Sequence, residues 1–126
     1  MQLHHIGIAC KDIGLELAHI HNLHQVSTVE GPVFDAEQNA TLALVTLTDG
    51  TNLELISGNP VQNLLKRQIS YYHICFETDD INNQINQLLA GGAVLVSAPK
   101  PAILFKGRQV AFLQASYGLI ELLAIK

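Results

Sequence analysis

Residues 71–81 read YYHICFETDDI, and residues 3–13 read LHHIGIACKDI. Laid over each other at a constant offset of 68 residues, His73 falls on His5 and Ile74 on Ile6, and an Asp-Ile pair closes both stretches. Such self-similarity marks a chain built from two copies of one supersecondary unit, each too small to bury much core alone. Each stretch opens as an apolar strand, residues 3–10 and 72–77, and passes into a helix. Asp12 is expected to cap the first helix, with Ile13, Leu17, Ile20 and Leu23 spaced for a buried face. Asp79 is expected to cap the second, with Ile81, Ile85, Leu88 and Leu89 on one side and Gly91-Gly92 at its end.

The order continues in parallel. After the first helix, residues 26–33, 41–47 and 52–57 read as strands, and Asp49-Gly50 between the last two is a hairpin signal. After the second, residues 93–97, 109–114 and 119–125 read as strands, with the loop APKPAILFKGR between the first two. Between the copies, Asn59-Pro60 reads as an N-cap and first-turn proline of a short helix reaching Arg67. Each copy is strand, helix, strand, strand, strand. The class is therefore α+β, with two βαβββ modules side by side giving one curved, eight-stranded sheet and helices outside it. Within a single domain of residues 1–126, module one is 1–58, the connecting helix 59–70 and module two 71–126.

Composition narrows the function. With 48% hydrophobic and 14% charged residues, the chain reads as a folded globular protein. No apolar run approaches the roughly 20 residues of a membrane span. The opening MQLHHIGIA lacks the basic head and apolar stretch of a signal peptide. Two cysteines, Cys10 and Cys75, fit reduced thiols of a cytoplasmic protein rather than a disulfide framework. A net charge of −4 with few aromatics argues against nucleic acid as a partner. Five of the seven cations, Lys66, Arg67, Lys100, Lys106 and Arg108, nevertheless fall within residues 66–108.

A second element repeats with the histidine. Glu54 stands 49 residues after His5 and Glu121 stands 48 after His73, each embedded in apolar residues, as LELI and IELL. Strand side chains alternate, so the leucines flanking Glu54 point one way and Glu54 the other. A carboxylate in so apolar a strand is costly to bury unless something pairs with it. A single histidine on a strand is usually a core or edge residue, and a single glutamate usually faces solvent. The same pair twice at nearly the same spacing points instead to a divalent-metal site of two imidazoles and two carboxylates. His4 alternates to the opposite face and is assigned no function. In the cluster His19, His21 and His24, a helix brings only His21 and His24 together, and no carboxylate follows at helical spacing. Cys75 shares the face of His73 as a small filler opposite Gly7.

The residues HIGIA, LEL, HICFETDDI and LIELL resemble the vicinal oxygen chelate superfamily, which includes glyoxalases, extradiol dioxygenases, and bleomycin and fosfomycin resistance proteins. Within it, NPVQNLLKRQISYYHICFETDDI and FKGRQVAFLQASYGLIELL look most like methylmalonyl-CoA epimerases. The resemblance implies an eight-stranded half-barrel around one divalent metal (Co, Ni, Zn, Mn or Mg). Its ligand positions fall on His5, Glu54, His73 and Glu121, and its additional first-module carboxylate falls nearest Glu37. It also implies a homodimer.

The implied activity is an isomerase that works through an enolate. Glu121 is the expected base, and Lys106 and Arg108 are expected to meet the substrate, an acyl-CoA or a glutathione thioester. A lactoylglutathione lyase of glyoxalase I type needs the same metal and is mildly favoured by Glu54. A sequestering resistance protein performs no chemistry and often lacks the ligands. Extradiol oxygenation needs two histidines and one carboxylate, so Glu54 would be surplus.

Overall fold

The computed structural model describes residues 1–126. Its strands are β1 (Gln2–Ala9), β2 (Val26–Asp35), β3 (Ala40–Leu47), β4 (Asn52–Gly58), β5 (Tyr71–Thr78), β6 (Val94–Pro101), β7 (Gln109–Ala115) and β8 (Gly118–Ala124). The helices are α1 (Ile13–Leu23), α2 (Gln62–Lys66) and α3 (Ile81–Ala90), with short 3-10 turns at Asn59–Val61 and Ile103–Phe105. The strands form one open, mixed sheet in the order β2-β3-β4-β1-β5-β8-β7-β6. This is the α+β, eight-stranded architecture expected from the repeat. By contacts the chain divides into one unit of His5–Tyr72 and another of Met1–His4 with His73–Lys126.

In the first unit, β1 runs parallel to β4, with Gly7 beside Glu54 and Ile8 beside Leu55. That register sends Ile8, Leu53 and Leu55 to the helix side. There they pack with Ile13, Leu17 and Ile20 of α1 and with Ala43, Val45 and Leu47 of β3. The Asp12 carboxylate accepts a hydrogen bond from the Leu15 N–H at 3.0 Å, so the expected cap is present. Leu23 departs from expectation: it is 76% exposed, because the helix ends there and His24 is already extended. The Asp49-Gly50 turn closes as read, with the Leu47 N–H on the Thr51 carbonyl at 2.8 Å and Gly50 at φ +91°.

Asn59 is not the expected side-chain cap. It begins a 3-10 turn after Gly58, and its backbone N–H donates to the Asn39 carbonyl at 3.0 Å. Gly58, at φ +107°, is required there, since a Cβ would stand 2.6 Å from the Asn39 carbonyl oxygen. The helix that follows, α2, stops at Lys66, with Arg67 as its C-cap.

The second unit repeats the plan. β5 runs parallel to β8, with Cys75 beside Glu121 and Phe76 beside Leu122. Its helix-side core joins Ile81 and Ile85 of α3 to Ala111, Leu113, Ile120 and Leu122. Asp80, not Asp79, caps α3, its carboxylate accepting from the Asn83 N–H at 3.0 Å. The repeat offset itself selects Asp80, which matches Asp12. β6 also extends beyond the expected residue 97 to Pro101, with register shifts on either side of Ser97. It lies at the edge of the sheet. There the missing N–H groups of Pro99 and Pro101 break no inner ladder, so prolines that read as a loop are tolerated within a strand.

Candidate metal centre

Strand alternation decides which side chains leave the helix-side cores. In the first unit His5 and Glu54 both point to the other face, His5 1% exposed and Glu54 4%, with His5 Nε2 3.5 Å from Glu54 Oε1. In the second unit His73 and Glu121 do the same, with His73 Nε2 3.1 Å from Glu121 Oε1. Both pairs are buried, which for a carboxylate is tolerable only with a compensating partner. Each unit thus presents one imidazole nitrogen and one carboxylate oxygen on the buried face away from its helix. Two imidazole nitrogens and two carboxylate oxygens without a thiolate suit a Lewis-acid divalent ion, so the donor set fits the metal that the resemblance implies.

The surroundings of the two pairs differ. Phe112 lies opposite Glu121 in register and sets its ring edge-on to His73, with centroids 5.5 Å apart and planes at 81°. The position opposite Glu54 is Leu44. Beside the glutamates on the inner strands stand Gly7 in one unit and Cys75 in the other. Cys75 is fully buried and not in a disulfide. Cys10 is buried as well: its thiol donates to the Ile56 carbonyl, and burial, then the charges of Glu16 and Asp12, push its pKa up to about 11.

The remaining candidates are placed as follows. Lys106 is exposed, at φ +56° in the turn before β7. Arg108 is half-buried: its Nη2 donates to Glu77 Oε2 at 2.6 Å and its Nε to the Ala124 carbonyl at 2.7 Å. Glu77 had no signal in the sequence beyond sharing the face of His73 and Cys75, because its partner lies 31 residues away. Glu37 is exposed, with its N–H on the Asp35 carboxylate at 3.0 Å. His4 sits edge-on to Phe105 at 5.5 Å. His19 lies 3.7 Å from Glu16 on the exposed side of α1, while His24 lies beyond the helix in extended backbone, outside the helical spacing expected to bring it to His21. Two open clefts of about 320 and 400 Å³ lie at the C-terminal ends of β5 and β8, lined by Asp79 and Ile125 among others, and include none of the four candidate ligands.

With this geometry in hand, the family follows. Residues 4–112 match the model of the Glyoxalase/Bleomycin resistance protein/Dioxygenase superfamily, and the chain belongs to it. Among curated relatives, it is 31% identical over 118 residues to the mitochondrial methylmalonyl-CoA epimerase of Dictyostelium discoideum, covering 89% of this chain and 69% of that protein. The ethylmalonyl-CoA/methylmalonyl-CoA epimerase of Cereibacter sphaeroides is 28% identical over 118 residues, covering 89% of this chain and 87% of that one. The fold matches the crystal structure of methylmalonyl-CoA epimerase from Mycobacterium tuberculosis with a TM-score of 0.84 at 17% identity, over 98% of this chain and 87% of that one. No helix is long and apolar enough to cross a membrane.

Proposed function

We propose that this chain is a metal-dependent epimerase of an acyl-CoA thioester, with methylmalonyl-CoA as the leading substrate. The observation that carries the reading is the buried histidine–glutamate pair that each unit repeats, His5 with Glu54 at 3.5 Å and His73 with Glu121 at 3.1 Å, in a chain whose curated relatives are named as epimerases. A divalent cation held by these four residues would polarise the thioester carbonyl and make the neighbouring C–H more acidic.

The chain's own residues supply the rest. Glu121 is the carboxylate assigned to accept the α-proton, and a second group returns a proton to the opposite face of the carbon. Burial in an apolar strand keeps bulk water from competing for that carboxylate. The Phe112 ring, edge-on to His73, limits how far the imidazole can rotate away from Glu121. Lys106 and Arg108 are the side chains assigned to the anionic parts of the substrate. A homodimer and a cytoplasmic location belong to the same reading, and light scattering of the purified protein tests the first.

The test is isotope exchange. Incubated in D₂O with methylmalonyl-CoA and a divalent ion, the protein is expected to wash deuterium into C2, and chelation is expected to stop it. Absence of exchange with every divalent ion offered removes the epimerase reading. Thioester formation from methylglyoxal and glutathione would put the lyase, which Glu54 favours, in its place.

A further inference from the structure

The two units repeat the same strands, yet one position pair differs in kind. Glu77 and Arg108 occupy the places that Ala9 and Ala40 hold in the first unit, one repeat offset earlier. Ala9 and Ala40 are buried at 3% and 1%, so this corner of the module packs well with two methyl groups and no charge. In the second unit the same corner holds an ion pair whose side chains are 25% and 29% exposed. A partly buried ion pair is weak support for stability, since desolvation offsets much of the attraction.

The register shows where the pair sits. Leu123 lies beside Glu77 and opposite Val110, and Val110 lies opposite Lys100. These four residues therefore share a row on the face that carries Glu121, one pleat along from the row of Cys75, Glu121 and Phe112. At the rise of a strand, that row is about 7 Å from the Glu121 row and Arg108 about 13 Å. Two cations, Lys100 and Arg108, thus stand at one end of the ligand-bearing face, with Lys106 exposed on the adjoining turn. Glu77 and the Ala124 carbonyl hold two edges of the guanidinium, Nη2 and Nε, and so set the direction of its remaining N–H donors. A guanidinium fixed in this way loses little side-chain entropy when it forks onto a phosphate.

We propose that Glu77 is a positioning residue, holding Arg108 beside Lys100 as the phosphate-binding end of this face, for the diphosphate of the CoA carrier. The inference rests on the acyl-CoA reading for the identity of the ligand, but its test does not need turnover.

Calorimetric titration with CoA and with pantetheine, which lacks the phosphates, separates the contributions. The unaltered protein is expected to bind CoA at least about tenfold more tightly than pantetheine, the scale of one charge-assisted hydrogen bond. Arg108→Ala is expected to remove about that factor for CoA and leave pantetheine unchanged. Glu77→Ala is expected to weaken CoA by about threefold or more through lost orientation, while Glu77→Gln, which keeps an acceptor and drops the charge, retains affinity. CoA binding unchanged in Arg108→Ala overturns the proposal. So does tighter CoA binding in Glu77→Ala, which would make Glu77 a mere counter-charge, and so does an equal loss for pantetheine, which would make the pair structural. CoA preference without deuterium exchange removes the epimerase reading and leaves this inference standing; exchange without CoA preference does the reverse.

Discussion

The two units are best understood against each other. Both place a histidine on the first strand and a glutamate on the last, both bury them, and both pack the opposite face of the strands against one helix. They part company around the pair. The first unit sets Gly7 and Leu44 beside Glu54, whereas the second sets Cys75 and Phe112 beside Glu121. The first closes its corner with Ala9 and Ala40, and the second with Glu77 and Arg108. The buried His–Glu pair is common to both units, and the residues around it differ. On the proposed function, the shared pair answers to the cation and the differing surroundings to the rest of the substrate.

The largest effect should fall equally on both halves. His5→Ala and His73→Ala are each expected to reduce divalent-metal affinity by more than about 100-fold, beyond the loss from removing an outer-shell partner. Equilibrium dialysis checks this. A large loss from one variant and none from the other would break the equivalence and make one pair purely structural.

Next come the cores. Leu55 and Leu122 are fully buried and occupy matching positions in the two helix-side clusters. Each Leu→Ala change is expected to cost about 2–5 kcal/mol in denaturant unfolding, by lost transfer and by the cavity left behind. Similar values would confirm that the two modules are packed alike, and a difference of more than about twofold would show which one carries the stability.

The smallest effect sharpens the repeat itself. Asp12→Ala and Asp80→Ala each remove a carboxylate that accepts the N–H of the third helical residue at 3.0 Å, and each should cost about 1 kcal/mol. Asp79→Ala, one position before the cap, should change stability by less than about 0.5 kcal/mol. An effect of Asp79→Ala as large as that of Asp80→Ala would undo the match between the two helix starts.

That last comparison also shows where sequence reading goes astray. Asp79 and Asp80 are both acceptable caps by residue type, and the repeat offset, which matches Asp80 to Asp12, decides between them once it is carried into the helix start. Leu23 fits the apolar period of α1 but lies in its last position, where no neighbouring element covers it. Pro99 and Pro101 argue for a loop until β6 is known to be an edge strand. By contrast, the burial of His5, Glu54, His73 and Glu121 away from the helix-side cores was legible, because strand alternation and the repeated His-to-Glu spacing of 49 and 48 residues are properties of the chain alone.

What the order of residues determined by itself was the local periods and their repetition: two βαβββ copies, their cores, and one histidine and one glutamate turned away from each core. Tertiary structure alone decided which distant residues meet, among them Arg108 with Glu77 and His4 with Phe105. The reason is physical. A period of two or 3.6 is set by neighbouring dihedral angles, whereas a contact between residues 31 or 101 positions apart depends on strand register and on where a loop returns.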